Sequence, residues 1–427
     1  MERRAGLLGI KASTLVLLLI CSIYFVVYVD RVNISVAAGD LRQEFHLSNS
    51  ELGIAFSAYA YFYAVIQLFG GWLADVLGPR LTMGIFGAIF SLATVLTGLA
   101  GSFTELVAAR ALLGLGEGPS LAAASRALAS WTPPARWSLA QGLAHAASRV
   151  ATAITPPLVA MLIVAFSWRS SFVVVGVASC AWVVVWLAYF RDDPAQHRST
   201  TAAERAALIP QARLRKKIPV LPLFVRMLPV ILVDFCYGWT LFVCLNWLPS
   251  FFRGQYGMDL AGSALFTSGV FIAGILGDTL GGLISDAILK RTGSRLRARR
   301  DVIVAGLLAS MAFFIAVLLL HDLTAVSIAL TLAFFCMELV IAPLWSVPMD
   351  IAPEYCGTAS GFMNFGAATA GIISPWVFGR VIDLTGSWTL PFAFSVALMG
   401  AGAIAAFWMR PDRPFQPASS VAALSIT

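Results

Sequence analysis

The chain has 427 residues, 59% of them hydrophobic and 12% charged, where a soluble globular protein carries about 45–50% apolar and about 25% charged residues. No soluble core hides that much apolar side chain, so lipid must be the solvent for most of the chain, which excludes a soluble enzyme, a secreted disulfide scaffold and a disordered protein. The 29 Lys and Arg outnumber the 22 Asp and Glu, but most of these cations lie in a few segments between apolar runs, as the positive-inside rule expects, and not on a nucleic-acid-binding face.

Apolar runs bounded by charge, Pro or Gly predict the helices in chain order. The run after Arg3, Arg4 and Lys11 has the look of a cleaved leader. It is long, however, and carries Tyr28-Val29-Asp30-Arg31 near its end, so it is expected to remain as the first span, 12–38. Spans follow at 50–74, 81–102, 105–128, 138–165 and 169–190. The stretch 191–222 then breaks the pattern with Arg191, Arg198, Arg205, Arg213, Arg215, Lys216 and Lys217, which predicts a solvated linker with a surface helix around Thr201–Arg215. Six further spans are expected at 226–252, 262–287, 301–321, 323–349, 356–381 and 387–410, and a tail at 411–427. Twelve crossings of about 20 residues each fit the length. The fold class is therefore all-α integral membrane, with two pseudo-symmetric six-helix bundles, 1–190 and 223–410, joined by the linker. Lys290, Arg291, Arg295, Arg297, Arg299 and Arg300 cluster after the eighth span, on the same side as the linker, so the linker and both termini are expected to be cytoplasmic. The six cysteines form no paired motif, and neither a disulfide nor a metal site is expected.

The two bundles repeat. Pro134, Gly142 and Pro156 recur as Pro353, Gly361 and Pro375, each 219 residues later, and Gly71-x-x-x-Asp75 recurs as Gly282-x-x-x-Asp286, 211 later. Both matches start at the same ordinal span of each half, which points to duplication. Two six-helix repeats with a site between them are a transporter architecture.

Ionisable groups inside apolar spans carry the functional signal, because lipid makes them costly unless they face partners or a cavity. The first span contains Tyr28-Val-Asp30-Arg31-Val-Asn33. The fourth contains Arg110-Ala-Leu-Leu-Gly114-Leu-Gly116-Glu117-Gly118. Arg110 and Glu117, seven residues apart, share a helix face about 10 Å apart along the axis. The first and fourth spans thus offer two acids and two arginines to one cavity, or else an internal ion-pair network that ties helices together. His145 and Arg149 share a face of the fifth span: a packing hydrogen bond and an ion pair are the plain reading, and a further ligand for an anion the sharper one. Asp234, Asp278 and Glu338 are the exceptions in a second half otherwise poor in mid-span charge, and Tyr237 and Trp345 offer it aromatic walls.

Gly71-Trp-Leu-Ala-Asp75-Val-Leu-Gly78-Pro79-Arg80, at the end of the second span, resembles the signature of the major facilitator superfamily. Its glycines permit close helix approach and a tight turn, and Arg80 has lipid phosphate or a carboxylate as candidate partners. The resemblance implies twelve helices, alternating access, and a cytoplasmic latch in which Asp75 pairs with an arginine at the inner end of the fourth span. Arg126 is the matching candidate, with a snorkelling side chain as the alternative. The weaker copy around Asp286 would serve the second half. Tyr28-x-Asp30-Arg31-x-Asn33, the Arg110/Glu117 pair, Trp168-Arg169 and the run Asp350 to Asn364 narrow the resemblance to the anion:cation symporter branch. That branch implies Asp30 and Glu117 as protonation sites and Arg31 and Arg110 as partners of those acids or of a substrate carboxylate. It also implies Tyr28 and Tyr63 as one wall and Asn364 as a contact from the second half.

The expected function is proton-coupled uptake of a small organic anion, such as a sugar acid, across a bacterial inner membrane. Arg31, Arg110 and Arg149 are the anion ligands, with His145, Trp345 and Asn364 beside them. An anion exchanger or exporter is the rival within transport, and a non-transporting receptor the rival outside it. No P-loop, HExxH or GxSxG motif is present, so no enzyme, cofactor, metal or nucleic-acid partner is expected, and the working unit is expected to be a monomer.

Overall fold

The computed structural model describes residues 11–47, 49–208, 218–258 and 260–416. Arg213, Arg215, Lys216 and Lys217 of the linker lie outside that set, as do the side chains of Pro156 and Pro375. In hydrocarbon each apolar run must satisfy its own backbone, and helix is the form that does so within one segment. Nine helical segments among the described residues are long and apolar enough to cross a membrane. The chain runs α1 (Ala12–Glu44), α2 (Asn49–Leu77), α3 (Pro79–Leu99), α4 (Phe103–Glu117), α5 (Ser120–Trp131), α6 (Trp137–Ala165) and α7 (Trp168–Tyr189). After the short linker helix α8 (Ala202–Ala207) come α9 (Val220–Tyr256), α10 (Leu260–Thr292), α11 (Val302–Leu319), α12 (Leu323–Glu338), α13 (Ile341–Ile351), α14 (Cys356–Thr385) and α15 (Phe392–Ala405). Leucine, valine and phenylalanine side chains such as Leu99, Val164, Leu265 and Leu319 stand on the outer surface, where lipid is their natural solvent.

Two expected spans are broken. The fourth divides into α4 and α5 at Gly118-Pro119, directly after Glu117, and the tenth divides into α12 and α13 directly after Glu338. Pro119 and Pro343 lack the N–H that would bond back across each break, which removes one backbone bond there and favours the interruption. The expected linker helix is present over Ala202–Ala207 and begins at a capping box of Thr201 and Glu204, while its expected continuation from residue 209 to 215 lies outside the described residues. Glu204 also accepts from Ser13, which places the linker beside the start of α1.

Helices α1–α7 pack among themselves, α1 on α6 and α7, and α3 on α4 and α7. Helices α9–α15 do the same, α9 on α14 and α15, and α10 on α12. The two sets meet chiefly where α2 lies on α14 and α6 on α10. Small residues permit these crossings: a Cβ on Gly361 would come 2.6 Å from the Gln67 carbonyl oxygen, and one on Gly282 would come 2.5 Å from that of Ser138. Away from the linker, Glu44 accepts from Trp168 and Arg169, which fastens the far end of α1 to α7. The Arg169 hydrogen bond holds the Glu44 carboxyl below its usual range.

Candidate substrate site and gate contacts

The charged groups of α1 and α4 do converge. Arg31 Nε donates to Glu117 Oε2 at 2.9 Å, and the Tyr59 hydroxyl donates to the same oxygen at 2.6 Å. Asp30 accepts from Thr94 Oγ1 at 3.1 Å. Asp30, Arg110 and Glu117 are buried, whereas the Arg31 side chain keeps 18% of its surface exposed. The Arg31 guanidinium sits in a cage of tyrosines, 4.8 Å from the ring centre of Tyr28, 4.6 Å from Tyr63 and 5.6 Å from Tyr59. Arg110 lies 5.2 Å from the Tyr59 ring, and its Nε and Nη1 have no hydrogen-bond partner among the described residues. Tyr63 reaches the second set of helices, accepting from Asn364 Nδ2 at 3.1 Å. Two cations thus face two carboxyls, with the Arg31 side chain partly exposed and two Arg110 nitrogens without a partner among the described residues.

α4 is brought this close by its glycines. A Cβ on Gly116 would come 2.5 Å from Phe90 N on α3, and Gly114 lies equally tight on the backbone of Tyr59. The glycine run of the fourth span is therefore a packing surface.

At the linker end, Asp75 caps the start of α14. It accepts from Gly357 N at 2.9 Å and from Thr358 N and Oγ1 at 2.6 Å each. Arg126 Nε stands 3.3 Å from Asp75, and Arg126 Nη1 donates to the Pro353 carbonyl at 2.9 Å. Gly71 lies against the backbone of Gly357. Gly78 has φ 84° and starts α3, a conformation that favours glycine. Arg80 departs from expectation: its side chain donates to the Leu187 carbonyl at 2.6 and 3.2 Å, not to a carboxylate. The exposed carbonyls at the end of α7 attract the cation.

Asp286 performs the matching cap. It accepts from Ser138 N at 3.3 Å and Leu139 N at 2.8 Å, at the start of α6. Its arginine comes from the helical turn Leu296–Asp301 that leads into α11: Arg299 lies 3.0 Å from both Asp286 and Asp350 and is fully buried. The sequence reading placed Arg299 among the loop cations and missed it, because its partners Asp286 and Asp350 lie on other segments.

Arg149 takes the plainer of its two readings, an ion pair: it is 1% exposed, with Nη2 3.0 Å from Glu338 and Nε 3.8 Å from Asp278. His145 packs between Tyr24 and Trp345, with ring centres 5.0 and 5.2 Å away. His145 and Trp345 are buried, and they form a wall between the helix sets. Asp234 accepts from Ala367 N at 3.3 Å, which ties α9 to α14.

The family comparison now decides the identity. A Major Facilitator Superfamily model matches residues 20–375. The chain belongs to the major facilitator superfamily. It is a multi-pass membrane transporter and not an enzyme. The chain is 44% identical to a probable sulfoacetate transporter of Cupriavidus necator, over 96% of this chain and 98% of that one. It is 31% identical to a hexuronate transporter of Bacillus subtilis, over 89% of each chain. It is 29% identical to a D-galactonate transporter of Escherichia coli, over 91% of this chain and 93% of that one. Among solved structures, the superfamily transporter FucP in its outward conformation superposes with a TM-score of 0.71 at 17% identity, over 94% of this chain and all of that one, and this likeness shows the fold.

Proposed function

We propose that this member of the superfamily is a proton-coupled symporter that imports a small organic anion across a bacterial inner membrane. Residues 1–190 and 223–410 rock against each other, and the linker and both termini lie in the cytoplasm. The observation that carries the reading is the buried centre in which Arg31 and Arg110 stand among Asp30 and Glu117 while the Arg31 side chain stays partly exposed. The two cations balance the two carboxylates. An incoming anion upsets that balance, and a proton on Glu117 or Asp30 restores it, so anion and proton favour each other. A substrate with two anionic heads matches two arginines and two proton-accepting carboxyls. Sulfoacetate, which joins a carboxylate to a sulfonate, is of this kind, and the relative named for it supports that class ahead of the sugar acids.

The contacts of Asp75 and Asp286 close the linker end, so the described conformation is read as outward-facing. A thermal-unfolding screen of the purified protein tests the substrate class, because a ligand that binds only the folded state raises its unfolding temperature. Sulfoacetate is expected to raise it more than galactonate or a hexuronate, and Arg110→Ala to abolish the rise. Equal stabilisation of the variant would remove Arg110 from the site.

A further inference from the structure

A second acidic centre lies between the helix sets and repeats the chemistry of the first. Glu338 ends α12 at its break as Glu117 ends α4 at its own. Glu338 takes a tyrosine hydroxyl, Tyr237 at 2.7 Å, and an arginine, Arg149 at 3.0 Å. Glu117 takes Tyr59 at 2.6 Å and Arg31 at 2.9 Å. The second centre adds Asp278 of α10, a second buried carboxyl beside the same guanidinium, 3.8 Å from Arg149 Nε. Among the described residues neither Asp278 oxygen has a hydrogen-bond partner, and a buried carboxylate without donors is costly, which favours its neutral, protonated form.

Charge arithmetic points the same way. Arg149, Asp278 and Glu338 have 1%, 0% and 0% of their side-chain surface exposed. One guanidinium against two carboxylates leaves a net negative charge, and an uncompensated buried charge is costly. The neighbouring groups supply no cation to offset it. Tyr237 and Cys244 face the pair from α9, and Tyr28 faces Arg149 from α1 at 6.0 Å. His145 is one turn from Arg149 on α6, where a positive charge would repel the guanidinium. One proton makes the cluster neutral.

Location gives the proton a use. Asp278, Glu338 and Tyr237 belong to the C-terminal helices, and Arg149 to α6 of the N-terminal set. Rocking that parts α6 from α10 withdraws the guanidinium and admits water to both carboxyls. The Tyr28 ring faces Arg31 and Arg149 alike, so the two centres are one ring apart. We propose that Asp278 and Glu338 together carry one proton, held opposite Arg149 while the linker end is closed and released to that side when it opens. The proton adds from cavity water to one carboxylate oxygen and leaves from it to water at the linker end, with no other bond made or broken. This rests on the alternating-access reading above, and it adds a proton site to Asp30 and Glu117.

The test uses the full chain in lipid vesicles and needs no substrate. Infrared difference spectra across a pH step report protonated carboxyl groups directly. In an Asp30→Asn/Glu117→Gln/Asp234→Asn background, which also removes the buried carboxyl of Asp234, one carboxyl C=O band is expected to persist, and Asp278→Asn or Glu338→Gln should each remove it. Two independent substitutions keep the result decisive if one fails to fold. A band unchanged by both, or no protonated carboxyl in that background, overturns the proposal. With sulfoacetate as probe and a pH-sensitive dye, protons moved per anion should fall by one in Glu338→Gln, and an unchanged ratio counts against it. A wild-type chain that moves no sulfoacetate would contradict the substrate reading alone, since the infrared result stands without it.

Discussion

Asp75→Asn should unlatch the linker end. The carboxylate accepts three hydrogen bonds from α14, at 2.9, 2.6 and 2.6 Å, and stands 3.3 Å from Arg126. A hydrogen bond to a charged group contributes about 1.5–3 kcal/mol and a neutral one about 0.5–1.5, so removing the charge weakens the three together by about 3 kcal/mol. Arg126 also loses its buried counter-charge, and breaking a buried pair costs about 3–5 kcal/mol. Opening lets Arg126 hydrate, and Nη1 keeps the Pro353 carbonyl until then, so the two effects are not additive. A total near 4 kcal/mol shifts the closed-to-open ratio by roughly a thousandfold, at about 1.4 kcal/mol per factor of ten. Spin labels at Leu81→Cys and Lys290→Cys, in a chain with the native cysteines replaced, report the separation of the two linker-end surfaces. The variant should show a longer distance population absent or minor in the parent. An unchanged distance distribution would refute the latch.

Three further outcomes follow from the same contacts. Glu117→Gln keeps the shape but not the charge that meets Arg31 and Tyr59, so gradient-driven accumulation should fall to background while counterflow exchange partly survives; vesicle uptake in both modes checks this, and equal loss of both would count against a coupling role. Arg299→Ala leaves Asp286 without its arginine and Asp350 with Arg295 alone, at 3.1 Å, and should lower the thermal unfolding temperature by several degrees, at about 3–5 kcal/mol for a broken buried pair; a change within error would contradict the contacts described. Gly361→Val places a side chain where a Cβ would already come 2.6 Å from the Gln67 carbonyl, so it should hold the linker end apart and slow transport, and transport at the parental rate would sink this account of the α2–α14 crossing.

The spans were legible because lipid leaves hydrophobicity little freedom, and the meeting of Asp30, Arg31, Arg110 and Glu117 because charges inside apolar runs need company. The resemblance to the superfamily signature marked Asp75, and implied Arg126 as its candidate partner. What the sequence concealed depends on pairing across segments. An ion pair was open for Arg149, but the sequence did not name Asp278 and Glu338 as its partners, because only packing of α6 on α10 and α12 joins them. Arg299 looked like one more loop cation, and burial alone distinguishes it from Arg297. The breaks after Glu117 and Glu338 had a visible cause in Pro119 and Pro343. Their continuous apolar surroundings nevertheless read as unbroken spans, since hydrophobicity is blind to a missing N–H.

The central claim, that an anion and protons travel together through the centre built on Arg31 and Glu117, is tested most directly by uptake of labelled sulfoacetate into vesicles holding only this protein. With the membrane potential clamped and the exterior made acidic, the account predicts accumulation above the external concentration, lost when a protonophore collapses the gradient. Uptake indifferent to the pH gradient and driven only by anion loaded inside would show an exchanger and contradict it.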